Sequence, residues 1–268
     1  MGPSAITHNA ITHNAITVNG ITVKAITASL ALGLAAGSAW GCQRPEALRA
    51  LPQDPGITPA PLPSAAASAP ANGGPPPDYR ERLRPTPYGW PTLASWCVWI
   101  EPGATTGPAA LWDQRWLGAV AAALASWEQV LPIRRAQEPD QAQILIWRRK
   151  PRLQNNRASH GRAELALVEV ERSGQWQIEP LVTVAISPGQ AQAAIQATAL
   201  HELGHAFGLW GHSDQASDVM AVSPGAKPLL QLSARDRATL GWLYRQQGLN
   251  SGAVRPAAGP APPAPGAN

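Results

Sequence analysis

The chain has 268 residues, a formal net charge of +4 and only 14% charged residues, where an ordinary globular chain has about a quarter. The deficit goes with 28 prolines and 24 glycines, and thirteen of the prolines lie between Gln43 and Pro91, with five more between Ser251 and Asn268. Stretches of that composition bury too little apolar surface to fold alone, which leaves one domain-sized unit over 92–248 and argues against an enzyme with two cores.

Residues 5–27 repeat with a period of five (AITHN, AITHN, AITVN, GITVK, AIT). No domain needs such a repeat at the end of a chain, and residues 1–22 are expected to precede the true start, with Val23 read as the initiator. Lys24, the apolar run Ala25 to Trp40 and the small residue Gly41 read as a secretory signal. The run is too short and too broken by Ser and Gly to span a membrane. Cys42 closes a stretch resembling a lipoprotein processing site, so export is expected either with lipid on Cys42, giving a periplasmic or cell-surface lipoprotein, or as simple secretion. The organisation expected is signal over 1–42, a Pro/Ala-rich extended tether over 43–91, the domain over 92–248 and a disordered tail over 249–268.

Trp96 to Ile100 reads as a strand, with Cys97 inside it as a buried free thiol; two cysteines are too few for a cysteine-built zinc site. Trp116, Val120, Leu124, Trp127 and Leu131 form one apolar stripe of a 3.6-residue period, a helix that Pro132 ends. Ile144 to Trp147, Ala163 to Glu171 and Leu181 to Ile186 read as strands, with Ser173–Gly174 as a turn. Ser187–Pro188 has the chemistry of a cap and first turn for a helix running to about Phe207. Ser233 to Asp236 resembles a capping box opening a last helix through Tyr244. The order predicts a mixed α/β (α+β) sheet with helices packed on it. Arg134, Arg135, Arg148, Arg149, Lys150 and Arg152 form a basic run; with no nucleic-acid motif beside it, it reads as a solvated edge, and no nucleic-acid partner is expected.

The chemistry lies in the run from His201 to His212. His201 and His205 are four apart, so on a helix their rings leave one face about a turn apart, a separation suited to two ligands of one zinc ion. Glu202, beside the first ligand, can take a proton from water at the metal's open position. A third ligand is needed, and no glutamate follows Glu202. His212, Asp214, Asp218 and Asp236 remain. His212 is preferred, because Gly208 can end the helix in the left-handed conformation and return the chain, and because neutral imidazole suits zinc.

These residues resemble the metzincins, and among them the matrixin-like zinc endopeptidases, whose pattern is H-E-x-x-H-x-x-G-x-x-H followed by a methionine turn. The third histidine here stands one residue late, at 212 rather than at Gly211, which reads as a one-residue loop expansion. Met220, eight residues after His212, and the helix from Ser233 stand where the family has its methionine turn and C-terminal helix. The resemblance implies a twisted mixed sheet, an active-site helix, and one catalytic zinc on His201, His205 and His212, with Glu202 as general base. Calcium follows by family likeness only. It further implies a protein or peptide substrate lying antiparallel to an edge strand at Ala163 to Val170, with Ala221 to Lys227 walling the pocket beyond the cut. The cysteine switch of the family is absent. His160 reads as a loop residue, Met220 as packing under the metal, Asp214 and Asp218 as loop-stabilising carboxylates, and Trp210 as a wall of the cleft or as core. A monomer is expected. The alternatives are a tethered binding module of the same fold that does not turn over, and a zinc amidase acting on cell-wall peptides.

Overall fold

The computed structural model describes residues 13–18, 21–26, 41–51, 77–153, 159–223 and 225–249. Within them a six-stranded sheet carries the domain. Its strands are β3 (Ala47–Ala50), β4 (Trp96–Ile100), β5 (Ile133–Arg135), β6 (Ile144–Trp147), β7 (Gly161–Arg172) and β8 (Gln175–Ile186), in the spatial order β3-β7-β8-β6-β4-β5. β5, β4, β6 and β8 run parallel, while β7 is antiparallel to β8 and β3 is antiparallel to β7. Ser173 and Gly174, at φ 52° and 72°, turn β7 into β8 with both central residues in the left-handed region, as a two-residue hairpin requires. Three helices follow the expected order: α1 (Ala110–Glu128), α2 (Gln192–Ala206) and α3 (Ala234–Leu243). A separate two-stranded hairpin, β1 (His13–Val18) with β2 (Ile21–Ile26), is formed by the pentad repeat; residues 27–40, most of the expected signal, lie outside the described residues.

Strand alternation explains where the core sits. Val98, Ile144, Ile146, Val182, Val184 and Ile186 point to one face and are fully buried against α1 and α2. The α1 stripe is the one its periodicity announces: Trp116, Val120, Leu124 and Trp127 are all at 0% exposure. Two of these tryptophans also use their ring N–H groups. Trp116 donates to the Ile186 carbonyl at 3.3 Å and Trp127 to the Leu200 carbonyl at 3.1 Å, so α1 is pinned to the sheet and to α2.

The odd-numbered partners on the other face, Trp99, Leu145 and Trp147, form a smaller cluster. That face changes two expectations. Cys97 is not a free thiol: it is disulfide-bonded to Cys42. The pairing engages the sulfur of Cys42, the residue at which an acyl chain was expected. The interval 43–91 is not one continuous tether. Residues 42–50 form a strap from β4 to the far edge of the sheet, and 77–91 pack on the domain with Tyr79 and Leu83 at 2% and 3% exposure; 52–76 lie outside the described residues. The tail after Leu249 does too.

The basic run is largely occupied within the chain. Arg135 pairs with Glu128 at 3.3 Å, Arg148 with Asp113 at 3.3 Å, and Arg149 lies over the Trp147 ring at 5.0 Å.

Candidate metal centre

α2 begins at Gln192 with no side-chain cap. Ser187–Pro188, expected to open it, belong instead to the loop that leaves β8: the Ser187 N–H donates to the His160 carbonyl at 2.8 Å. From there the helix runs under the sheet edge and presents His201 and His205 on one face. It ends at Gly208, whose φ of 103° turns the chain back as a left-handed C-terminal glycine does. The return loop brings His212 to the other two. The ligand atoms of His201, His205 and His212 all lie within 4.8 Å of one another.

The tautomers are set by what stands behind the rings. His201 Nδ1 is 2.7 Å from the Val219 carbonyl and His205 Nδ1 is 2.8 Å from the Leu209 carbonyl. A carbonyl only accepts, so each Nδ1 carries the proton and each Nε2 presents its lone pair to the shared space. The Nε2 atoms of His205 and His212 are 3.2 Å apart. Two nitrogens of a tetrahedral zinc site, each about 2.0–2.1 Å from the ion, stand about 3.3 Å apart, so this donor set fits zinc. Burial pulls all three imidazoles below the usual histidine range: His205 well below, and His212 to about 4 through burial and then the neighbouring His201. Neutral rings are what a metal requires.

Two glycines make the close approaches possible. A Cβ on Gly204, between the two helical histidines, would stand 2.2 Å from Met220 Sδ, so the bare backbone lets the fully buried methionine press against the helix directly below the imidazoles. A Cβ on Gly161, the first residue of β7, would stand 2.8 Å from Glu202 Oε1. Glu202 is buried, is hydrogen-bonded by the Ala163 backbone, and has its carboxyl pushed up to about 7 by burial; a bound cation would draw that value down again.

The loop that carries His212 is held from below. Ser213 N donates to the Met220 carbonyl at 2.7 Å and Val222 N to the Ser213 carbonyl at 3.3 Å, tying the methionine segment to the third histidine. Buried Asp218 accepts from Ser213 Oγ, Ser233 Oγ and Arg235. Buried Asp236 caps its own helix at Ser233 and accepts from the Val219 N–H at 2.9 Å and the Tyr79 hydroxyl at 2.8 Å. Asp214 sits between Arg82 and Arg235. These three carboxylates, considered as third ligands, are thus structural. His160 is exposed and belongs to no metal-binding group of described residues. Trp210 stacks on the His205 ring, centroids 5.5 Å apart at 18°, and also packs against the main core, so it joins the histidines to that core.

The matrixin family model matches residues 105–245, just over half of the chain. The chain belongs to the matrixin family. The match takes in α1, the three histidines, the methionine turn and α3. No curated protein matches the sequence. Membership makes the chain a zinc metalloendopeptidase, and it accounts for the H-E-x-x-H helix, the returning histidine and the buried Met220 as parts of one centre. This matrixin has its third histidine at 212 because the loop is one residue longer at Gly211, where a Cβ would meet the Arg82 carbonyl oxygen at 2.3 Å. What sequence reasoning missed are the supports: the carbonyls of Val219 and Leu209, and the need for glycine at 161. Backbone groups carry no sequence signature, and a glycine opening a strand reads as a turn.

Proposed function

We propose that the chain is an exported endopeptidase in which His201, His205 and His212 hold the zinc and Glu202 is the general base. The observation that carries this reading is the convergence of three neutral imidazoles, two with their Nδ1 atoms on carbonyls, beside a buried carboxylate. When bound, zinc supplies a Lewis acid that lowers the pKa of water to about 7 and polarises the scissile carbonyl. Glu202 takes the proton of the attacking water and delivers it to the leaving amine. The Ala163 backbone holds the carboxylate at that place, and Gly161 leaves it room. A peptide then lies along the outer edge of β7, whose residues Gly161 to Leu167 have no strand partner among the described residues on the side away from β8. That edge already accepts one strand, β3, antiparallel, and substrate entering the same way is bound by main-chain pairing. Ala221 to Lys227 walls the pocket beyond the cut.

The disulfide between Cys42 and Cys97 supports an oxidising compartment, and with the apolar run before Cys42 it supports export. Cleavage of casein, of short peptides and of peptidoglycan, each with and without chelator, tests the reading. Glu202→Ala is expected to retain zinc and lose turnover on casein by several orders of magnitude. Peptidoglycan turnover alone would mean an amidase, and zinc binding without turnover of any of the three would mean a binding module.

A further inference from the structure

Part of the edge strand expected at Ala163 to Val170 is already paired, and among the described residues only Ala163 to Leu167 lack a strand partner on that side. Val168 to Glu171 are paired antiparallel with Ala50 to Ala47. The segment that does this is built in at several points. Cys42 is bonded to Cys97. Arg44 pairs with Asp140. The Gln43 carbonyl accepts from Arg172 at 3.0 Å. Glu46 caps the β7–β8 turn through the Ser173 and Gly174 N–H groups at 2.9 and 3.4 Å. Arg49 pairs with Glu169 and lies over the Trp176 ring at 4.1 Å.

Resting on the reading that β7 binds substrate, we infer that residues 42–50 are a fixed stop that sets how much peptide the edge can hold on the N-terminal side of the cut. Glu202 marks the catalytic end of β7, at Gly161 and Ala163. A peptide antiparallel to β7 runs its N-terminal side from there toward Val168. It can pair opposite Ala163, Glu164, Leu165, Ala166 and Leu167, about five residues at about 3.4 Å each. Opposite Val168 it meets Ala50, which holds the place the sixth residue would need. The strap runs in the same direction as the substrate, so it occupies the track rather than crossing it. Main-chain pairing adds affinity per residue up to that point and none beyond.

The test is a ladder of peptides identical after the scissile bond and carrying one to nine residues before it, assayed on the full chain with its disulfide intact. The ratio kcat/KM is expected to climb up to about five residues and then stay flat. Cys42→Ser combined with Glu46→Ala and Arg49→Ala, none of them at the centre, frees the strap. Its nine-residue peptide should gain about fivefold or more over the parent, the scale of a few main-chain hydrogen bonds, while the five-residue peptide is unchanged. A parent that keeps gaining through nine residues, or a folded variant with the parent's ladder, overturns the stop. If the variant does not fold, the position of the parent's plateau decides alone, a plateau below three residues being as fatal as none. Zinc-dependent cleavage of no peptide in the ladder would instead sink the peptidase reading, and the stop with it.

Discussion

Met220 Sδ rests against the backbone of Gly204, so closely that a Cβ there would lie 2.2 Å from the sulfur. The contact joins the helix carrying His201 and His205 to the turn whose Val219 carbonyl orients His201. Gly204→Ala should therefore lower zinc affinity, by about tenfold or more, even though alanine raises intrinsic helix stability by about 1 kcal/mol. Zinc titration with a competing chelator, read beside the thermal melt, checks this. A variant that binds zinc as the parent does would show that the turn can give way freely.

Gly161 and Glu202 offer the complementary experiment. Gly161→Ala places a methyl group where the carboxylate lies, with Thr198 Cγ2 at 2.4 Å on its other side. Zinc stoichiometry should stay at that of the parent while kcat falls by about 100-fold or more, the scale of a displaced general base. Equal losses in zinc and in kcat would point to general disruption of α2.

His212 is the proposed ligand that the spacing made least secure. His212→Ala is expected to cost most of the bound zinc, while Asp214→Asn is not, because Asp214 is engaged by Arg82 and Arg235 and is not grouped with the three histidines. Metal analysis of the two variants after dialysis separates the assignments. Zinc retained in the first and lost in the second would reverse them.

Acid should loosen the sheet at Glu179. Burial alone would push this carboxyl up. Arg172 at 2.6 and 3.0 Å, Gln143 at 3.0 Å and Gln177 at 2.7 Å outweigh it and hold it below the ordinary range. A carboxylate whose folded value is the lower one stabilises above its unfolded value, about 4.3, and that contribution fades as pH falls through the folded value. Glu179→Gln should cost about 1–3 kcal/mol at neutral pH and flatten the decline of melting temperature below about pH 5. A variant with the parent's full acid sensitivity would place the titration elsewhere.

The parts of the fold legible in advance are those where side-chain pattern decides the structure. The α1 stripe repeats at 3.6 residues because one face is buried, and Ser233 and Asp236 form the capping box their spacing announces. The three histidines were legible because metal chemistry restricts which residues stand at which intervals. β3 was not: Ala47 to Ala50 has no strand propensity of its own, and its pairing is imposed by the β7 edge and the disulfide. A signal for the disulfide existed, however. Alternation through Trp96, Cys97 and Val98 turns Cys97 away from the helices, to the face where an exported chain could meet its other cysteine. Ser187–Pro188 misled because a good cap sequence also serves as a loop: here its N–H ties it to the His160 carbonyl, and α2 opens only at Gln192 with no side-chain cap.

The extra loop residue, Gly211, has a consequence for where this enzyme begins. Its backbone is packed against the Arg82 carbonyl, and the neighbouring Trp210 carbonyl accepts from Arg84 N at 3.2 Å. The loop that carries His212 thus rests partly on residues some twenty positions upstream of the family match. A chain trimmed to start at residue 105 would keep every residue of the recognised signature and still lack the ground on which His212 stands.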